Sequence, residues 1–171
     1  MHLILFRHGI AEPGTESQPD DLRPLTALGL SRTMLAAQGL ARIIDRPQAI
    51  LSSTKTRAVQ TAAFLGDTFD IQPETHELLA TGTPKKILRM LRDRAEDSIL
   101  IVGHEPVLSH LIELICIPKS PSGAIELKKA GCAYVEAPIR NNEPANPDML
   151  AGGVLRWVIP PRILRQLAGE P

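Results

Sequence analysis

Two arginines and two histidines of this 171-residue chain stand where apolar runs give way to polar sequence. "LILF" at 3–6 ends on Arg7-His8-Gly9, and "SILIVGH" at 98–104 ends on His104. Arg57 lies in "SSTKTRAVQTA", overlapping the end of the apolar "QAILSS" at 48–53. Arginine offers a planar fork of donors that matches an oxyanion. Histidine attacks as a nucleophile only when its ring is neutral, and nearby positive charge favours the neutral ring. Arg7 beside His8 therefore suits attack by His8 on phosphorus, giving a phosphohistidine that water then hydrolyses. Arg7, Arg57 and His104 are the groups expected to meet charge on the equatorial oxygens. Gly9 leaves room for close approach of the backbone to the phosphate.

Such a group of side chains needs a scaffold that brings three strand ends together. Residues 2–6, 48–53 and 98–104 read as buried strands. Thr26 caps a helix running to about Ile44, with Leu28, Leu35, Leu40 and Ile43 near one face. Residues 55–68 suit a helix through Ala58, Ala62 and Leu65. Thr83-Pro84 opens another, with Ile87, Leu88 and Leu91 inward. Glu105-Pro106 starts one that buries Val107, Leu108, Leu111, Ile112 and Ile115. Near the C-terminus, "AIELKKAGCAYVEAP" and "LAGGVLRWVIPP" read as two β segments joined by a Pro/Asn-rich connection at 138–148. The tail after Pro161 is short and polar and receives no role.

Alternation of strands and helices predicts a three-layer α/β/α domain spanning 1–171. Its sheet has about six strands, mostly parallel, with a C-terminal antiparallel hairpin. In such sheets ligands bind beyond the carboxyl ends of the strands. Arg7, His8, Arg57 and His104 fall there, together with the amino end of the helix after Glu105-Pro106, whose N–H groups and dipole favour an anion.

Nineteen Lys and Arg balance nineteen Asp and Glu, so no global charge draws nucleic acid or an anionic membrane, and any anion site must be local. No stretch approaches the roughly 20 apolar residues of a membrane helix, and nothing at the N-terminus reads as a leader, so the expectation is a cytoplasmic protein. Cys116 and Cys132 lack metal-ligand spacing and read as reduced thiols. Arginine neighbours repel a cation from His8 and His104, and no acidic pair sits at the strand ends. No metal and no cofactor are expected. His2, His76 and His110 have no catalytic context.

"FRHG", "SSTKTRAVQTA" and "GHEP", in this order and spacing, resemble the histidine phosphatase superfamily, also called phosphoglycerate mutase-like, from Leu3 to about Pro161. The resemblance implies His8 as nucleophile, with Arg7, Arg57 and His104 as the phosphate pocket. It also makes Arg23 in "RPLT" a candidate for reaching phosphate or substrate. Glu105 is a helix-start residue and a further candidate for touching substrate. The short chain, "LRPLTALG" at 22–29 and "LKKAG" at 127–131 narrow the resemblance to bacterial phosphohistidine phosphatases. Larger members carry a glutamate acid in "L-x-E"; here Leu78 matches the leucine, Ala80 takes the acid's place, and Glu77 is out of register. An alcohol leaving group needs that proton, whereas an imidazole departs already protonated. The expected substrate is thus a phosphohistidine-bearing protein such as a phosphotransfer domain. The alternatives are a small-phosphomonoester phosphatase and a non-catalytic phosphate-binding module.

Overall fold

The computed structural model describes residues 1–117, 123–139 and 152–170. Six strands form one sheet in the order β3-β2-β4-β1-β5-β6. They are β1 (His2–Arg7), β2 (Ala49–Ser52), β3 (Glu74–Thr75), β4 (Ser98–Gly103), β5 (Cys132–Glu136) and β6 (Val154–Ile159). β1 runs parallel to β4, and β2 parallel to both β4 and β3. β5 pairs antiparallel with β1 and with β6, so the expected C-terminal hairpin closes one side. Most of its Pro/Asn-rich connection lies outside the described residues.

Strand side chains alternate between two covered faces, which is why the central strands read as continuous apolar runs. Leu3 and Leu5 join Ile99 and Ile101 in a core under α3 (Leu78–Thr81), α4 (Pro84–Arg92) and α5 (Val107–Cys116). Ile4 and Phe6 join Leu100 and Val102 in a second core under α1 (Ala27–Leu40), α2 (Thr56–Phe69) and α6 (Pro161–Leu167). The layers are therefore α/β/α, as expected. None of the described helices is long and apolar enough to cross a membrane.

Two expectations need correction. α1 does start after Thr26, whose hydroxyl accepts from Gly29 N–H at 2.8 Å. Its buried face, however, is Gly29, Thr33, Ala36, Ala37 and Leu40, while Leu28 and Ile43 are exposed. Small residues let neighbouring helices approach closely: a Cβ on Gly39 would lie 1.8 Å from the carbonyl oxygen of Leu164. That contact explains the second correction. The polar tail folds as α6 and seats Leu164, fully buried, against α1; burial of such a side chain contributes about 1.5–3 kcal/mol.

Parallel register aligns one edge of the sheet. Arg7 faces Gly103, and Ser52 faces Val102, so the carboxyl ends of β1, β2 and β4 finish side by side. β5 begins opposite Phe6, which brings the 127–131 turn to the same edge.

Candidate active site

His8 is buried immediately beyond β1. Its Nδ1 lies 2.7 Å from the carbonyl oxygen of Gly9. A carbonyl only accepts, so Nδ1 carries the proton and Nε2 keeps the lone pair. Burial lowers the His8 pKa to about 4, against a hydrogen bond to Gly9 that raises it; Arg57, Arg7 and Lys129 add to the lowering. At neutral pH the ring is thus uncharged and nucleophilic at Nε2.

His104 follows β4, with its ring centroid 4.9 Å from that of His8. Burial, then His8, Arg57 and Lys55, lower its pKa to about 3. Its Nε2 lies 2.7 Å from Ser53 Oγ, which also accepts the Lys55 N–H at 3.2 Å. The Ser53 hydroxyl proton is then free to point at Nε2, leaving the neutral ring's hydrogen on Nδ1.

The two arginines are anchored at their Nη atoms. Arg7 Nη1 donates to the Leu127 carbonyl at 2.6 Å. The 127–131 turn is fastened to β1 in return. Arg7 N–H donates to Gly131, and Ala130 N–H lies 3.0 and 3.1 Å from the carbonyls of Arg7 and His8. Ala130 takes φ 58°, a region that non-glycine residues populate sparsely, and these bonds hold it there. Arg57, in the first turn of α2, is 5 % exposed. Its Nη1 donates to the Asp20 carbonyl at 2.7 Å and its Nη2 to Asp20 Oδ2 at 3.0 Å.

Among the described residues, four buried side-chain polar atoms lack a hydrogen-bond partner, and three of them are Arg7 Nε, Arg57 Nε and His104 Nδ1. An unmet buried donor costs about 1–3 kcal/mol. Three such donors, on residues that neighbour one neutral histidine, would gain by meeting an anion with several oxygens.

The remaining candidates are engaged within the chain. Gly9 N–H donates to Thr61 Oγ1 at 3.0 Å, and a Cβ there would lie 2.1 Å from Thr33 Oγ1. The glycine is thus required by the approach of α1. Arg23 Nε bonds Asp20 Oδ1 at 2.8 Å, and its Nη1 donates to the Glu12 carbonyl at 2.7 Å. Glu105, read as a helix-start residue and a further candidate for touching substrate, stands just before α5. Its Oε2 accepts from Ser109 Oγ at 2.6 Å and Ser109 N–H at 3.3 Å, and its Oε1 accepts Leu127 N–H at 2.8 Å. Leu108 N–H is taken by the His104 carbonyl and Ser109 N–H by Glu105, so these two amides at the start of α5 are engaged within the chain. Ala80 lies in α3, and Glu77 accepts from Thr54 Oγ1 at 2.9 Å. The described residues contain no group of three His, Cys, Asp or Glu placed to hold a metal.

Sequence reasoning missed Asp20, Ser53, Lys55 and the Leu127 carbonyl. Ser53 and Lys55 were inside a quoted motif, and Asp20 stands three residues before Arg23. The backbone carbonyl carried no side-chain signal.

The chain belongs to the histidine phosphatase superfamily; the sequence model of branch 1 of that superfamily matches residues 3–81. An uncharacterized protein of Picosynechococcus sp. is 36 % identical over 136 residues, 77 % of this chain and 82 % of the relative. The phosphohistidine phosphatase SixA of Escherichia coli is 28 % identical over 128 residues, 71 % of this chain and 78 % of the relative. In fold, the chain matches a structure of the protein histidine phosphatase SixA complexed with tungstate. The TM-score is 0.76 at 22 % identity, over 96 % of this chain and 99 % of that one.

Proposed function

We propose that this protein is a phosphohistidine phosphatase acting on a phosphorylated protein. His8 Nε2 attacks phosphorus in line, the substrate's imidazole leaves with the shared P–N electron pair and its proton, and the phosphoryl group passes to His8. Water then attacks phospho-His8 and releases inorganic phosphate. Arg7 Nε, Arg57 Nε and His104 Nδ1 meet the charge spread over the equatorial oxygens. The observation that carries this reading is that three residues bearing buried, unmet donors, Arg7, Arg57 and His104, neighbour a histidine whose free nitrogen is fixed by Gly9.

Two features favour an imidazole over an alcohol as leaving group. Asp20 is held far below the usual carboxylate range by Arg23, with Arg57 and Lys55 adding, so it is ionised and has no proton to give. Glu105 spends both oxygens on α5 and the 127 turn. Arginine and histidine donors supply the charge stabilisation that a metal provides elsewhere, so the proposed reaction proceeds without one.

Turnover of a phosphohistidine-bearing phosphotransfer domain and of a panel of sugar, nucleotide and glycerate phosphates, in excess EDTA, tests this. Hydrolysis of phosphohistidine well above every ester supports it. Faster turnover of an ester gives the small-phosphomonoester phosphatase instead, and binding of phosphate without any turnover gives a phosphate-binding module. Loss of activity in EDTA that metal restores overturns the metal-free pocket.

A further inference from the structure

One carboxylate outside the proposed chemistry ties together Arg23, Lys55 and Arg57. Asp20 opens a short 3-10 turn (Asp20–Leu22) inside the 12–24 loop. Its Oδ1 accepts from Arg23 Nε at 2.8 Å and Nη2 at 2.6 Å. Its Oδ2 accepts from Lys55 Nζ at 3.1 Å and Arg57 Nη2 at 3.0 Å. Its carbonyl takes Arg57 Nη1. Asp21 reinforces the arrangement through Lys55 at 2.9 Å.

The burial is lopsided. The Asp20 side chain is 54 % exposed while that of Arg57 is 6 % exposed, so Asp20 grips the guanidinium from the solvent side. Both Arg57 Nη atoms are used in that grip, and Nε, buried and unpartnered, is left over. The loop carrying Asp20 is itself fastened at its ends: Glu12 N–H donates to the Pro24 carbonyl at 2.9 Å, Leu25 N–H to Gln60 Oε1 at 2.7 Å, and Arg23 Nη1 to the Glu12 carbonyl. Without that grip, a guanidinium on a long side chain rotates among several orientations and loses the advantage of being set before the anion arrives.

We propose that Asp20 is a positioning residue: its carbonyl and carboxylate fix the Arg57 guanidinium so that Nε stays directed to the anion site. This rests on the reading of Arg57 as an anion ligand and needs no particular leaving group. A carboxylate on the phosphate-binding cations could instead compete with the anion, and the two roles give opposite signs.

The test is calorimetric titration of the full chain with vanadate, a mimic of five-coordinate phosphorus, using Asp20→Asn, Asp20→Ala, Arg57→Ala and the Asp20→Ala/Arg57→Ala pair. Positioning predicts vanadate bound about tenfold more weakly in Asp20→Ala. It also predicts a smaller loss in Asp20→Asn, whose amide oxygen still accepts, and no further loss from Asp20→Ala once Arg57 is gone. Unchanged or tighter vanadate binding in Asp20→Asn overturns the proposal, as does full additivity in the double variant. Asp20→Asn keeps the side chain's shape and serves where Asp20→Ala does not fold. Because vanadate binding needs no turnover, failure of the phosphohistidine assignment would show as an inert phosphohistidine substrate while the Asp20 effect on vanadate persists.

Discussion

Arg7 and Arg57, proposed to play parallel parts in the pocket, are held in contrasting ways. Arg7 closes the central strand, and its guanidinium is met by a backbone carbonyl in a turn that β1, β5 and Glu105 all fasten. Arg57 sits on a helix and is met by an aspartate from an irregular loop whose carboxylate is half in water. One anchor follows from strand register; the other follows from the charge and length of particular side chains. The first is local backbone geometry in low dielectric, and the second includes an exposed ion-pair network that salt screens.

The largest effects come from removing the donors themselves. Arg57→Ala and Arg7→Ala should each cost on the order of 2–4 kcal/mol of transition-state stabilisation, the loss typical of one charge-stabilising donor. Arg32→Ala, in α1, is the control and should cost little. Steady-state kcat/KM on a phosphohistidine protein checks this, with thermal unfolding to monitor the fold. Equal, mild losses in all three would remove the shared pocket.

A smaller effect should separate the two anchors. Glu105→Gln keeps an acceptor for Leu127 N–H but puts an amide against Ser109, so the 127 turn loosens and Arg7 is affected through it. We expect a several-fold loss of kcat/KM that 0.5 M NaCl leaves nearly unchanged as a ratio to wild type. The deficit of Asp20→Asn should shrink in the same salt, since screening already weakens that anchor in the parent. Identical salt responses would erase the contrast.

A further effect, read in stability and not in turnover, concerns the histidine between the anchors. His8 has a folded pKa of about 4, below the ordinary 6.5, because its ring is buried. The unfolded chain therefore binds more protons in that window, and stability falls as pH drops from 6.5 towards 4. Between pH 7 and pH 5 the His8 contribution is about 2 kcal/mol. Urea midpoints of His8→Asn should decline less than those of wild type over that interval. Parallel declines would mean that His8 titrates normally.

The asymmetry also explains what could be read from the chain alone. Arg7, His8, Arg57 and His104 were visible because each follows an apolar strand, and parallel register carries such positions to one edge. Asp20 was invisible because an irregular loop has no period to place its side chain. α1 was read from its leucines, although Gly29, Ala36, Ala37 and Gly39 are what allow close packing. α6 was overlooked because Leu164 is its one buried residue, and no apolar stripe marks it. Glu105 was placed correctly at a helix start, but its obligations to Ser109 and Leu127 arise only in three dimensions.

The central claim is that His8 carries the phosphoryl group. Labelled phosphohistidine protein should be mixed with the enzyme, quenched in alkali within milliseconds, and the enzyme digested and mapped. The account predicts alkali-stable, acid-labile label on the peptide containing His8, absent from His8→Ala, which should also lack turnover. Acid-stable label on a serine or threonine, or turnover persisting in His8→Ala, would contradict it.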